Sequence, residues 1–388
     1  MNNRNQFGEV FTPIILTNEI LDNLPNSVWM NPNLKWLDPC AGSGNMFIKV
    51  LERLNTGLYD IIPLEIERKK HIITKMLFMV EINPSNLMKI KEIFGSDCNI
   101  IIADFLDYIP QIEFDIVIGN PPFQNTKNNI YTGSSGNRTL WDKFLIKCIN
   151  LIKVNGHLGF ITPSNWRRPD HKLYTKMVHD NHLVFLHIYN KKDGLLYFNA
   201  QTRFDVYILK VLPSNVGDDL YMNTVIIDEK GVIHKNLDLS NWNFIPNYAY
   251  DIIRTFLKKD TEKGIDIIFN STYYDARKLS VKKEMGYIHP IVHTLTKKGM
   301  GLKYANKKNT TIFLPKVILN FNEKQYPVND YEGIYGMSQL SFGIPIKSFI
   351  EGDRKINIIN SYEFRELLSA TKWSSFQTDY RMFKYLNI

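Results

Sequence analysis

Seven short apolar runs, each followed by a turn or an amphipathic segment, occupy residues 34 to 210 and leave few folds open to the chain. They read LKWLD (34–38), KMLFMVE (75–81), NIIIA (99–103), FDIVIG (114–119), HLGFIT (157–162), LVFLHIY (183–189) and FDVYILK (204–210). Near-continuous apolar runs of this length behave as strands covered on both faces, which is how a parallel sheet is buried. Helix candidates fall between them, around 44–54, 84–94, 140–153 and 170–180. The third carries Trp141, Phe144, Leu145, Cys148, Ile149 and Ile152 on one stripe at helical spacing, a face for packing. The pattern predicts an α/β fold with one seven-stranded Rossmann-like sheet and helices on both faces.

At 388 residues the chain is too long for that unit alone. The run LPSNVGDD (212–219) follows the last strand and marks a boundary, giving domains 1–212 and 213–388. The second half is less regular. Its β-like runs TVIID (224–228), IFLPKVILNF (312–321) and KINIIN (355–360) mix with helix candidates near 247–259 and 361–371, which predicts an α+β module. Apolar residues at 44 % and charged residues at 22 % exclude disorder for the bulk of the chain. No run approaches a membrane span, and MNNRNQFGEVFTP lacks a signal-peptide layout, so an intracellular, cytoplasmic protein with no membrane partner is expected. Cys40, Cys98 and Cys148 stand far apart and suit neither a disulfide framework nor a zinc knuckle.

The net charge is +8, but lysine outnumbers arginine and alanine is scarce, a bias that codon composition alone can produce. Location carries more information. Residues 276–308 hold nine basic groups against the single acid Glu284, so this window accounts for the whole excess. It interleaves Lys282, Lys283, Lys297 and Lys298 with Tyr287, His289, His293 and Tyr304. A DNA-facing surface and a solvated lysine-rich face both fit that composition. The two histidines lack a third partner, and no metal is expected.

Two motifs carry chemistry. In LKWLDPCAGSGNMFIKVL a strand ends at Asp38 and a turn with Gly42 and Gly44 leads into a helix. Glycines let the backbone approach a ligand, although a tight structural turn would use them equally. Glu81 closes the next strand and suits a ribose diol, and Asp104 closes the third and can accept from an exocyclic amine. Three acids at successive strand ends favour a nucleoside-type ligand. The second motif, FDIVIGNPPFQN (114–125), sets Asn120 and two prolines directly after a buried strand. The prolines fix the backbone and remove N–H donors, so the Asn120 side chain and the adjoining carbonyls offer acceptors for both hydrogens of an aromatic amine. Held that way, the amine nitrogen is drawn toward tetrahedral geometry and its lone pair turns to an electrophile. Phe123 can stack on the ring.

FGEVFTP (7–13), DPCAGSG (38–44), VEINP (80–84), ADFLDY (103–108), GNPPF (119–123) and GFITPSNW (159–166) together resemble the ordered motifs of S-adenosylmethionine-dependent adenine-N6 DNA methyltransferases, in the gamma-like order. The resemblance covers residues 7 to 210 and implies the seven-stranded methyltransferase sheet, with a C-terminal α+β DNA-recognition domain. It assigns Thr12, Asp38, Pro39, Cys40, Ala41 and Gly42 to the methionine end of S-adenosylmethionine, Glu81 to the ribose, Ile82 to the adenine face, and Asp104 with Phe105 to its amine and ring. It assigns Asn120, Pro121, Pro122 and Phe123 to catalysis, with Asn120 also beside the cofactor, and Phe198 to a second aromatic contact with the target base. The gap of 37 residues from Gly44 to Glu81 exceeds a minimal nucleotide-binding unit, and helix-like LEIERKKHIITK (64–75) accounts for it.

Such a reaction turns the cofactor into S-adenosylhomocysteine and asks the protein chiefly to align nucleophile and methyl carbon. A duplex adenine must flip out to reach the site. The polar stretch 124–143 is expected to form a loop over bound DNA. Arg167 and Arg168 are candidates for phosphate contacts, and Lys282, Lys283, Lys297 and Lys298 for the DNA-binding surface. Double-stranded DNA is the expected partner and a monomer the expected state. Because the motifs begin at residue 7, any cognate restriction endonuclease is expected on a separate chain, and an orphan enzyme is equally allowed. Rival readings are an enzyme methylating protein glutamine or RNA guanine, and a catalytically silent DNA-binding protein on the same scaffold.

Overall fold

The computed structural model describes residues 11–388 except 125–138, 214–222, 260, 270–275, 323 and 374–377. The chain divides into two compact units, Met1–Trp166 with Thr175–Ser240, and Arg167–Tyr174 with Asn241–Ile388.

The first unit is built on β1 (Trp36–Asp38), β2 (Leu77–Glu81), β3 (Asn99–Ile102), β4 (Phe114–Gly119), β5 (Ile152–Pro163), β6 (His182–Tyr189), β7 (Phe204–Lys210), β8 (Thr224–Ile227) and β9 (Ile233–Leu237). They form one sheet in the order β3-β2-β1-β4-β5-β7-β6-β8-β9. The strands from β3 to β5 run parallel, and β7 is antiparallel to both β5 and β6. All seven expected strands are present, and the fold is the α/β class that the apolar runs indicate. Two strands continue the sheet beyond them. β8 pairs with β6 in parallel and β9 returns antiparallel to β8, so TVIID belongs to this sheet rather than to a second module. The boundary therefore moves from residue 212 to Ser240, and the short stretch Arg167–Tyr174 belongs to the second unit.

Helices form where the apolar spacing changes from continuous to periodic. Asn45–Gly57 buries Met46, Phe47, Val50 and Leu54 on one stripe, facing the sheet side that holds Trp36, Leu77 and Ile116. The interval between Gly44 and Glu81 is filled by the rest of this helix, by the helix Glu65–His71 and by the wide turn Ile72–Met76. Buried Arg68 holds that insert in place, donating to Asn55 Oδ1 at 2.9 Å and to the carbonyls of Ile62 and Pro63 at 2.7 and 2.9 Å. Glu81 keeps its strand-end position despite the long interval.

The N-terminal helix Ile14–Asp22 packs Leu16, Ile20 and Leu21 into the same core. Gly159 on β5 makes room for it, because a Cβ there would lie 2.5 Å from Ile20 Cγ2. The other side of the helix is tied by Glu19, whose carboxylate accepts from Tyr189 Oη at 2.8 Å and is hydrogen-bonded to His187. Thr12, immediately before this helix, is thereby held at a fixed height over the sheet.

The second unit contains two small sheets. One joins β10 (His289–Thr296), β11 (Gly299–Ala305) and β14 (Gly336–Met337), and the other joins β12 (Lys316–Asn320), β13 (Val328–Asp330) and β15 (Ser341–Pro345). The helices Tyr250–Phe256, Phe349–Ile359 and Tyr362–Ala370 complete the α+β arrangement. KINIIN lies inside Phe349–Ile359 and is helical, contrary to its strand-like alternation. Ser348 starts that helix by accepting from Glu351 N at 3.1 Å. Lys316 is a buried charge, and its ammonium donates to Asp330 Oδ2 at 2.7 Å and to the carbonyls of Leu314 and Tyr335 at 3.0 and 2.7 Å. Three acceptors match its three donors, as a cation removed from water requires.

Candidate active site

Four neighbouring parallel strands bring the chemistry-bearing residues to one sheet edge. Asp38 ends β1, Glu81 ends β2, Asp104 lies two residues past β3, and Asn120 lies one residue past β4. Because the spatial order is β3-β2-β1-β4, the acids and the amide form a row along the carboxyl ends, the place where open α/β sheets bind ligands.

The turn after β1 is folded around these groups. Gly42 and Gly44 have φ of +54° and +84°, in the region that favours glycine. A Cβ on Gly44 would meet Phe94 Cε2 at 2.8 Å, so the turn lies close against the helix Asn86–Phe94. Glu81 holds the turn from the next strand, accepting from Gly42 N and from Asn83 N, each at 2.7 Å. Together these two amides fix the orientation of the carboxylate at the strand end. Asp38 accepts from Cys40 N at 3.1 Å. Burial pushes its carboxyl up to about 7 against that hydrogen bond, and the Glu81 charge adds to the rise. Asp104 is half-buried and accepts from Leu106 N at 3.0 Å. A buried acid, a clamped acid and a half-exposed acid in a row are an acceptor set that fits the ammonium, ribose and exocyclic amine of S-adenosylmethionine.

Asn120 joins this loop to the N-terminal segment. Its Nδ2 donates to Thr12 Oγ1 at 3.1 Å. The approach is close: a Cβ on Gly119 would lie 3.3 Å from Pro39 Cδ and 3.4 Å from Cys40 Sγ. With Nδ2 engaged, Oδ1 is the end of the amide left to accept from a substrate amine. Pro121 is buried, whereas Pro122 and Phe123 are half-buried at the edge. Phe123 meets Phe198 edge to face at 6.3 Å, and Phe198 meets Phe204 at 4.9 Å. Phe204 in turn stacks on Tyr189 at 4.5 Å, which is the tyrosine bound to Glu19. The aromatic wall beside Asn120 and the helix that follows Thr12 thus share one support.

The structure therefore gathers Thr12, Asp38, Pro39, Cys40, Ala41, Gly42, Glu81, Ile82, Asp104, Asn120, Pro121, Pro122, Phe123 and Phe198 about this edge. Phe105 is placed differently from the adenine-facing position expected for it. Its ring is buried against Phe144 at 5.3 Å, under the Lys147 ammonium at 4.9 Å. Sequence reading missed Lys147, which clasps the 105–108 turn by donating to the carbonyls of Phe105, Leu106 and Tyr108. It is one of two lysines on the helix Trp141–Leu151, and the sequence does not distinguish it from Lys143.

Arg167 is not a phosphate contact. It is fully buried and donates to the carbonyls of Ile245 and Pro246 at 3.0 and 3.2 Å and to Asn247 Oδ1 at 2.9 Å. Arg168 is half-buried, near Asp379 and Arg381. The loop expected over residues 124–143 falls mostly outside the described residues; its flanks pair through Gln124 and Thr139, and Trp141 to Lys143 are helical. Lys282, Lys283, Lys297 and Lys298 are all exposed, but on two different turns. Lys297 and Lys298 form the tip of the β10–β11 hairpin, while Lys282 and Lys283 precede a tight turn at Glu284–Tyr287. Among the described residues no group of three His, Cys, Asp or Glu side chains could hold a metal ion, and no helix is long and apolar enough to cross a membrane.

The sheet and its motifs are similar to those of restriction-modification methyltransferases. Residues 48–194 match the model of the Eco57I restriction-modification methylase family, in agreement with the adenine-N6 methyltransferase motifs. An uncharacterised adenine-specific methylase of Mycoplasma pneumoniae is 51 % identical over 75 residues, 19 % of this chain and 18 % of that protein. The type II methyltransferase M.VspI of a Vibrio species is 27 % identical over 176 residues, 41 % of this chain and 37 % of its own length. The chain thus spans well under half the length of these curated relatives. The solved structure of the type IIL restriction-modification enzyme MmeI, in complex with DNA, superposes with a TM-score of 0.55 at 12 % identity, over 99 % of this chain and 69 % of that one. At that identity the likeness is one of fold.

Proposed function

We propose that the chain transfers a methyl group from S-adenosylmethionine to N6 of an adenine flipped out of duplex DNA, breaking the sulfonium–methyl bond to leave S-adenosylhomocysteine and releasing one N6 proton to solvent. The observation that carries this reading is Asn120. Its amide is anchored by Thr12 at 3.1 Å through Nδ2, which leaves Oδ1 as the end that would accept from a substrate amine. A planar amine donates one hydrogen to Asn120 Oδ1 and the other to the Pro121 carbonyl. The lone pair released from the ring then points across the β4–β1 junction, toward the loop of Asp38 to Gly42. Phe123 and Phe198 supply the apolar wall that receives the extruded base and offsets part of the few kcal/mol of unstacking.

S-Adenosylmethionine supplies an electrophilic methyl carbon on its sulfonium. Toward it, Asp38 and the turn Pro39–Gly42 hold the methionine end, Glu81 the ribose, and Ile82 with Asp104 the adenine. The second unit would recognise DNA through Lys282, Lys283, Lys297 and Lys298. Biologically, such an enzyme serves in the modification of host DNA beside a cognate endonuclease, or as an orphan.

The test is transfer of labelled methyl from S-adenosylmethionine to genomic DNA, followed by mapping of the modified bases. The proposal expects N6-methyladenine at one sequence, lost in Asn120→Ala with folding retained. Label on protein glutamine or on RNA alone would overturn it.

A further inference from the structure

The basic window contains a feature that charge alone does not explain. Residues 284–287 close a tight turn through two backbone hydrogen bonds, Glu284 N to Tyr287 O at 3.3 Å and Tyr287 N to Glu284 O at 2.9 Å. Gly286, with φ of +84°, allows the reversal. Met285 stands at the apex and is 100 % exposed, with Val281 at 73 % and Ile288 at 52 % on the two arms. Single apolar side chains on a surface need no explanation, but three on one protruding turn are a patch. The base of the turn is anchored: Ser280 and Tyr304 exchange backbone hydrogen bonds at 3.0 and 2.8 Å, which ties the arm to β11.

The electrostatics of the turn are one-sided. Arg277, Lys278, Lys282 and Lys283 are all exposed around it. The sole acid of the window, Glu284, has its carboxylate drawn back to Ser280 Oγ at 2.6 Å. The result is an apolar apex with a cationic collar. Nucleic acid offers that pairing of surfaces, with phosphates at the groove rims and apolar sugar and base faces inside. An anionic lipid surface also combines charge with apolar depth, but three side chains on one turn make a small membrane anchor.

We infer that the Glu284–Tyr287 turn is a DNA-contacting wedge, in which Met285 enters a groove against sugars and base edges while Lys282 and Lys283 grip the flanking phosphates. The inference rests on the proposed DNA substrate and adds an apolar contact to it. The Lys297–Lys298 tip lies at the far end of the β10–β11 hairpin, roughly 23 Å away at about 3.3 Å per residue, so the two turns contact separate stretches of backbone.

The two kinds of contact have different salt signatures. Each phosphate neutralised by a lysine contributes about 0.9 to the slope of log affinity against log salt, whereas an apolar contact contributes nothing to it. The experiment measures affinity of the full chain for a fluorescent duplex bearing the mapped methylation site, at several salt concentrations. Met285→Ala is expected to bind about five- to tenfold more weakly with an unchanged slope. Met285→Leu should retain affinity. Lys282→Gln with Lys283→Gln should lower the slope by about 1.8. Met285→Ala binding as tightly as the wild type overturns the wedge. So does tighter binding to phosphatidylserine vesicles than to the duplex, sensitive to Met285→Ala. Methyl transfer by the wild-type chain is followed in parallel. Transfer intact with Met285→Ala affinity unchanged refutes the wedge alone, whereas no transfer to any DNA refutes the proposed function.

Discussion

Thr12→Val removes one hydroxyl and almost no volume, and it isolates what anchors the Asn120 amide. The wild-type contact is 3.1 Å, between two half-buried side chains. A hydrogen bond of this kind is worth about 0.5–1.5 kcal/mol net, and without it Asn120 Nδ2 competes for water and the amide samples other rotations. If the bond acts by holding Oδ1 toward the substrate amine, that energy is lost from the transition state. The expected result is a fall of about two- to tenfold in kcat, measured with S-adenosylmethionine and DNA both saturating. Affinity for S-adenosylmethionine, titrated calorimetrically without DNA, should change less than twofold, and Thr12→Ser should restore kcat. A Thr12→Val protein with unchanged kcat but weakened cofactor binding would instead put the hydroxyl on the methionine end and overturn its role as the Asn120 anchor. Gly159→Val offers an independent route to the same effect. Its side chain collides with Ile20, lifts the helix that follows Thr12 and should lower kcat together with stability.

Three further outcomes follow from the same geometry. Asp38 has a folded-state pKa of about 7 against 3.8 for a free carboxyl, so the folded state holds its proton after the unfolded chain has released it. Its contribution to stability therefore falls as pH rises from about 4 to 7, by about 4 kcal/mol at the upper limit, and Asp38→Asn should flatten that part of a urea-denaturation series. A cationic methionine end beside Asp38 favours the carboxylate, so cofactor affinity should rise about eightfold between pH 6 and 7.5 and lose this dependence in Asp38→Asn; a flat wild-type profile would contradict the placement. Arg167→Ala should cost about 2–3 kcal/mol in denaturant unfolding, because it removes the Asn247 Oδ1 donor and one of two donors to each of the Ile245 and Pro246 carbonyls, while the salt dependence of DNA binding stays as in the wild type. Phe198→Ala removes an edge-to-face contact worth about 0.5–1.5 kcal/mol and should reduce the fluorescence of 2-aminopurine placed at the target position, with S-adenosylmethionine affinity intact.

The first unit was legible because its strands are short, apolar and punctuated, and because Asp38, Glu81, Asp104 and Asn120 stand at strand ends that topology must place together. What the sequence hid was set at long range. Arg167 follows a strand in the pair Arg167–Arg168 and reads as surface, yet its acceptors lie 78 to 80 residues away. The Thr12–Asn120 bond spans 108 residues and has no local signature. LPSNVGDD has a linker's composition, but the chain returns to the sheet afterwards, since β6 would otherwise present an unpaired edge. KINIIN alternates like a strand, and the missed signal stands upstream: Ser348 with Glu351 three residues later is a helix start. The β10–β11 hairpin was masked by lysines and glycines that gave the window its charge.

The destination of the methyl group decides most directly between this function and its rivals. Incubation of the full chain with methyl-labelled S-adenosylmethionine and unmodified genomic DNA, followed by digestion to nucleosides, reads the acceptor atom. Label is expected in N6-methyl-2′-deoxyadenosine, abolished by Asn120→Ala while S-adenosylmethionine binding persists. Label in another nucleoside, in protein or in RNA, or equal transfer by Asn120→Ala, would contradict it.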